Sequence, residues 1–180
     1  GGFHSLALKG DGTVVAWGNN NLSQSSVPSG LSNVTAIAAG DSHSLALKSD
    51  GTVAVWGDTN FGQATIPPGL SNVVAVAVGV VHSLALKGDG TVVAWGFNNA
   101  VQATVPAGLS NAVAIAAGGS HSLALKNDGT VVAWGDTNFG QATIPPGLSN
   151  VVAIAGGDVH SFALRSEERR VGRECRSRWS

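Results

Sequence analysis

Gly40-Asp-Ser-His-Ser-Leu-Ala-Leu-Lys-Ser-Asp-Gly-Thr-Val-Ala-Val-Trp-Gly57 is the stretch on which the fold turns, because the chain repeats it. Its His-Ser-Leu-Ala-Leu-Lys segment recurs every 39 residues, starting at His4, His43, His82 and His121, and a fifth version starting at His160 reads His-Ser-Phe-Ala-Leu-Arg. Self-similarity at a fixed period of this length marks an architecture in which one supersecondary unit stacks on copies of itself. A residue present in every copy is then first a structural device. Function is to be sought where the copies differ.

Within the unit from Asn33 to Ser71, Val34-Thr-Ala-Ile-Ala-Ala39 is a short apolar run closed by Gly40, which predicts a strand buried on both faces (strand A). His43 to Lys48 predicts strand B, with His43, Leu45 and Leu47 on one face and Ser44, Ala46 and Lys48 on the other. Asp50-Gly51 supplies a hairpin turn, since Gly tolerates the positive φ such turns need. Thr52 to Trp56 predicts strand C, rich in β-branched and aromatic residues. The following residues to Ser71 carry loop signals, and Pro67-Pro68 argues against an interior strand. Large residues fall on one face of the unit and mainly Ala or Ser on the other. That suits sheets packed face to face around an axis, with Trp17, Trp56, Trp95 and Trp134 each burying roughly 200 Å² between neighbours. The predicted fold is all-β: a β-propeller of 39-residue, three-stranded antiparallel blades, with a stacked β-solenoid as the alternative.

Gly-x-x-His-Ser-Leu-Ala-Leu-Lys-x-Asp-Gly-Thr-Val-x-x-Trp-Gly followed by Gly-Gln resembles the regulator of chromosome condensation repeat, whose members form seven-bladed propellers. The resemblance covers residues 1–164, about 4.2 periods, so the chain is expected to be an incomplete propeller fragment. The period and the Gln-Ala-Thr-x-Pro segment are most similar to the β-lactamase inhibitory protein type II branch, a bacterial secreted group with three-stranded blades. That likeness implies an extracellular or cell-surface setting and inhibition of a secreted enzyme such as a β-lactamase. Members with longer repeats imply a second role, guanine-nucleotide exchange on a small GTPase. A structural or adhesive array in a bacterial surface protein is a third.

Composition divides the chain at Leu164. Before it stand four Lys, no Arg, eight Asp and no Glu, a net of −4; the last sixteen residues hold all six Arg, all three Glu and the one Cys. Residues 165–180 resemble the translation of a common sequencing-adapter oligonucleotide, and they are expected to form a non-native or disordered tail outside the repeat domain. The chain contains no Met and opens in mid-repeat, as an internal piece of a longer protein would. No apolar run approaches the ~20 residues that span a bilayer, so no membrane insertion is expected. Four positive charges against eight negative, one Lys per repeat, disfavour nucleic acid.

If A runs up, B runs down and C runs up. The turn before each His and the loop after each Trp-Gly then share one end, the top, and the Asp-Gly hairpins lie at the bottom. The bottom barely changes between copies, whereas the top varies. Rigid strands presenting varied loops describe a recognition surface. Phe3, Phe61, Phe97 and Phe139, with Asp41, Asp58, Asp136 and Asp158 near them, are the candidate contacts to another protein. Phe61 and Phe139 recur identically, so a groove-filling role competes with a binding one. Self-association through open propeller edges is a further expected contact.

No catalytic, cofactor or metal site is predicted. Each His-Ser pair tempts toward a nucleophile and base, but adjacent strand residues point to opposite faces. The periodic His is expected to tie the A–B turn to backbone. Asp58-x-Asn60 and Asp136-x-Asn138 begin an oxygen-ligand spacing without the Glu that completes a calcium loop, and turn formation explains them better.

Overall fold

The computed structural model describes residues 1–166. It contains thirteen strands, and each predicted strand type forms where the apolar pattern put it. The A strands are β3 (Val34–Ala39), β6 (Val73–Val78), β9 (Ala112–Ala117) and β12 (Val151–Gly156). The B strands are β1 (His4–Leu8), β4 (His43–Lys48), β7 (His82–Lys87), β10 (His121–Lys126) and β13 (Ser161–Arg165). The C strands are β2 (Val14–Gly18), β5 (Val53–Gly57), β8 (Val92–Gly96) and β11 (Val131–Gly135), shifted one residue from the Thr–Trp span the sequence predicts. Three antiparallel meanders, β3-β4-β5, β6-β7-β8 and β9-β10-β11, are flanked by the two-stranded sheets β1-β2 and β12-β13. The arrangement is an open propeller of three whole blades and two partial ones.

Turn chemistry sets the register. Gly12, Gly51, Gly90 and Gly129 take φ of 76 to 79° in the bottom hairpins, a conformation open to Gly at no steric cost. The preceding Asp accepts from both the backbone N–H and the hydroxyl of the following Thr, as Asp50 does from Thr52 at 2.9 and 2.6 Å. Each A strand is then pinned to the hairpin of the blade before it, Val73 N donating to Gly51 O at 3.0 Å.

The A strands carry a correction. A β-bulge near the start of each skips Thr35, Val74 and Val152 out of register with strand B, and a shift at Leu125/Lys126 does the same for Val113. Val74, Val113 and Val152 therefore face solvent instead of a second buried face.

Blades pack large face on small face. Leu84, Leu86 and Val92 of one blade meet Ala112, Ala124 and Trp134 of the next, and Leu45 and Leu47 meet Val73, Ala85 and Trp95 one step earlier. Successive A strands lie close to one another while the C strands diverge, so the blades fan out from an axis lined by strand A. Trp56, Trp95 and Trp134 are buried in these interfaces. Trp17, with no blade before it among the described residues, is 55% exposed.

β13 runs through Arg165, whose Nε donates to Ser149 O at 3.1 Å, so the last blade extends one residue past Leu164. Ser166 N donates to Asn150 O at 3.0 Å, and residues 167–180 of the expected tail lie outside the described residues.

Candidate functional site

The repeated His and Ser do meet, but across blades. His4, His43, His82 and His121 place Nε2 2.7 to 2.9 Å from Oγ of Ser44, Ser83, Ser122 and Ser161, each forty residues on. The expected tie from His to its own A–B turn does not form. The reason is geometric: the face of strand B that carries His points at the next blade, whose facing surface carries Ser.

Proton bookkeeping decides what this pair can do. Ser44, Ser122 and Ser161 donate their hydroxyl hydrogen to the main-chain oxygens of Gln24, Gln102 and Gln141, at 2.7 to 2.8 Å. A carbonyl can only accept, so in each of these pairs the imidazole Nε2–H donates to the hydroxyl. The serine proton is thus committed to a carbonyl and the ring is a donor, the reverse of an activated nucleophile and its base. Burial pushes His43 and His82 down to about 4, so the rings are neutral. Ser44, Ser83 and Ser122 are fully buried. The pair is an inter-blade clasp.

The Gln residues, whose role the sequence reading left unassigned, complete the clasp. Gln24 O, Gln63 O and Gln102 O also accept the indole N–H of Trp56, Trp95 and Trp134 at 2.9 to 3.0 Å. The Gln side chains turn back, Oε1 of Gln63 accepting from Phe61 N at 2.8 Å, and shape the top loop. Their presence after every C strand was the available signal.

The two ends differ as strand order requires. Each C-strand exit is tied to the A–B turn, Asp58 N donating to Ser42 O at 2.8 Å and Phe97 N to Val81 O at 2.9 Å, so both segments lie at the top. At the bottom, Lys9, Lys48, Lys87 and Lys126 pair at 3.0 to 3.3 Å with Asp11, Asp50, Asp89 and Asp128. The four remaining Asp of the repeats, Asp41, Asp58, Asp136 and Asp158, are all at the top, which has no Lys.

The eight candidate contacts separate into two groups. Asp41 and Asp158 stand toward the axis and border one shallow groove with Val80 and Gly119. Further out, Phe61 and Phe97 from successive blades meet edge to face, ring centroids 4.9 Å apart, with Phe61 half exposed. The groove-filling and the exposed roles of Phe61 are therefore combined in one ring. Phe139 is 75% exposed, with only the two-stranded β12-β13 blade beyond it among the described residues, and Phe3, in the first partial blade, is 64% exposed. Asp58 and Asp136 accept from the N–H of Asn60 and Asn138 at 2.9 Å, the turn-forming role, and Asp58 is buried.

The family model described as "Regulator of chromosome condensation (RCC1) repeat" matches residues 1–24, 34–63, 73–100 and 112–141. No curated protein sequence matches the chain. Among solved structures, Prp20p from Saccharomyces cerevisiae superposes with a TM-score of 0.77 at 21% identity, covering 92% of this chain and 55% of that one. The ectodomain of the Physcomitrella patens receptor kinase CR4 superposes with a TM-score of 0.77 at 25% identity, covering 92% and 47%, and human WBSCR16 with 0.74 at 24%, covering 92% and 56%. The chain spans about half the length of these structures. With the family model lying over four successive units, and the blades folding as its repeats do, the chain belongs to the regulator of chromosome condensation (RCC1) repeat family.

Proposed function

We propose that this propeller is a non-enzymatic protein-binding module that reads its partner with the top end. The observation carrying this reading is the contrast between the blade interfaces and the top loops. The His–Ser–Gln–Trp clasp is repeated with little change, whereas the loops tied to it change from copy to copy and expose Phe61 beside Phe97. Aromatic anchors on a rigid support dominate interface energies, because little entropy is lost in fixing them. The top is acidic and the bottom neutralised, which suits a partner with a basic surface.

Two neighbours supply probes. The Prp20p structure is described together with its binding to Gsp1p and histones, and a second structure shows Kap60 bound to yeast RCC1. Binding of core histones and of a Gsp1p-type GTPase to this chain tests the reading. Phe61→Ala should weaken affinity by ~1–3 kcal/mol, while Ser49→Ala and Asn127→Ala at the bottom should stay within ~0.5 kcal/mol. Loss of binding through the bottom changes alone would place the recognition face at the wrong end.

Nucleotide exchange on a small GTPase is the second reading, supported by the family and tested by release of a fluorescent GDP from Gsp1p in the presence of the chain. The inhibitor reading draws nothing from the top face: Trp56, Trp95 and Trp134 are buried between blades, and the exposed aromatics of the top loops are Phe.

A further inference from the structure

One top loop departs from its sister copies at the positions that matter most for its own stability. The loops after β5 and β11 are identical, Asp58-Thr-Asn-Phe-Gly62 and Asp136-Thr-Asn-Phe-Gly140, whereas the loop after β8 reads Phe97-Asn-Asn-Ala-Val101. Its first position breaks a rule that the other three loops keep. Asn19, Asp58 and Asp136 each accept there from the backbone N–H two residues on, at 2.9 Å, a bond that phenylalanine cannot make. Its last position breaks a second rule. Val101 adopts a φ of 57° where Gly62 and Gly140 stand, a region in which a β-branched residue is an outlier.

The fold requires neither change. Asn98 braces this loop, its Oδ1 accepting from Ala103 N at 2.8 Å and its Nδ2 donating to Thr104 Oγ1 at 2.8 Å. Asn20 braces the loop after β2 in the same way, and there the Asn19 acceptor is kept beside it, so the bracing does not call for a phenylalanine. What the two changes build is surface. Phe97 meets Phe61 of the preceding blade edge to face, Phe61 stays half exposed, and Val101 is 56% exposed. No missing neighbour accounts for this exposure. Gln63 O holds Trp95 and Gln102 O holds Trp134, so each of the two loops is seated on a whole three-stranded blade. A strained apolar residue that gains no burial marks a position set by function instead of folding.

We propose that Phe61, Phe97 and Val101 form the specificity-determining patch of the top face, and that its occupant is a partner segment carrying an arginine next to an apolar side chain. Charge argues for the arginine. The top holds Asp41, Asp58, Asp136 and Asp158 and, among the described residues, no Lys or Arg, so its field attracts a cation. The guanidinium stacks on the exposed ring of Phe61, whose face carries the negative end of the ring quadrupole. Lysine fits less well, because its compact ammonium is strongly hydrated and does not stack as a plane. The apolar side chain lies against Val101. This inference rests on the top-face reading and narrows it to two adjacent loops and one ligand chemistry.

The test uses the full chain, with a phage-displayed library of random peptides as the probe. Peptides selected on the chain should carry arginine beside Leu, Ile, Val or Phe. Measured by fluorescence anisotropy, replacing that arginine with citrulline, its neutral isostere, should weaken binding about tenfold. Phe61→Ala and Phe97→Asn should each cost about tenfold or more. Val101→Gly should cost about threefold while raising the midpoint of urea unfolding, a separation that a purely structural valine would not show. Phe97→Asn and Val101→Gly restore residue types that sister loops carry at these positions, so neither change threatens the fold. Ser49→Ala at the bottom should bind as the wild type does. The proposal is overturned if no peptide is recovered, if the recovered peptides lack arginine, if the citrulline peptide binds equally well, or if Phe97→Asn and Val101→Gly keep wild-type affinity. In that last case, loss through Phe61→Ala alone leaves the top-face reading standing. Loss through Ser49→Ala with none through Phe61→Ala removes that reading as well.

Discussion

At the scale of single residues, position 101 shows how a repeat tolerates local strain. The turn before each Gln needs a left-handed backbone, and Gly62 and Gly140 supply it with φ of 76 and 78°. Ser23 and Val101 adopt it too, at 63 and 57°. For a β-branched side chain this region is an outlier, costing ~1–3 kcal/mol of strain. Val101 is more than half exposed, so it recovers little of that by burial. Val101→Gly should therefore raise stability by ~1 kcal/mol after the extra unfolded-state entropy of Gly is subtracted. The midpoint of urea unfolding at unchanged slope checks this, and a lower midpoint would mean that the valine makes a contact worth more than its strain.

At the scale of elements, the blade-to-blade fit depends on the glycine that ends each A strand. A Cβ at Gly79 would collide with the His82 ring and with Gly118 O of the next blade, and Gly40 and Gly118 are confined in the same way. Neither neighbour can yield, one being backbone and the other a ring held by Ser122. Gly79→Ala should cost ~1–3 kcal/mol by overpacking, read from thermal unfolding, whereas Gly88→Ala, with nothing closer than 3.6 Å, serves as the mild control. The clasp itself yields to a double-mutant cycle. His82→Ala and Ser122→Ala should be non-additive by ~1 kcal/mol or more, since each leaves the other's polar group unpaired. Additivity within ~0.3 kcal/mol would demote the hydrogen bond to mere proximity.

This is also the scale at which the sequence was most legible, and its limits are instructive. Alternation in His43–Lys48 and the Asp-Gly turns specify strands and their order because both signals are local. That His43 would bond Ser83 is not local, since it depends on how one sheet face lies on the next. The same holds for the division of the candidate contacts. Strand order places Asp41 and Asp158, before a His, and Asp58 and Asp136, after a Trp-Gly, at the same end, yet the fan of the blades sends the first pair toward the axis and leaves the other in turns further out. The bulges at Val74 and Val152 escaped notice because an apolar residue in a strand carries no mark of the register shift that turns it outward.

At the scale of the whole molecule, the four clasps form a series of buried imidazoles, and pH acts on all of them together. His43 and His82 sit at about 4 through burial, and His4 and His121 are lowered as well, against 6.5 in the unfolded chain. Asp58 favours a charge on His43, and Asp136 and Asp158 favour one on His121. Neighbouring His rings oppose it, and burial outweighs all of these. Between about pH 6.5 and 4 the unfolded chain binds more protons than the folded one, so stability rises with pH and is lost as pH falls through this window. Protonation would also place a hydrogen on Nδ1 of each ring, a buried atom with no partner. The hairpin carboxylates act in a different window. Asp11, Asp50, Asp89 and Asp128 are held at about 2, first by the Thr hydroxyl and N–H, so what they contribute is present above about pH 4 and is lost only as pH falls toward 2. Urea unfolding at steps from pH 7.5 to 4.5 should therefore show a steady loss of a few kcal/mol. His82→Gln should lower stability at pH 7.5 and make the pH slope shallower by one proton's share. A flat profile down to pH 4.5 would mean that the imidazoles reach solvent or a proton acceptor, and the clasp as drawn would have to be abandoned.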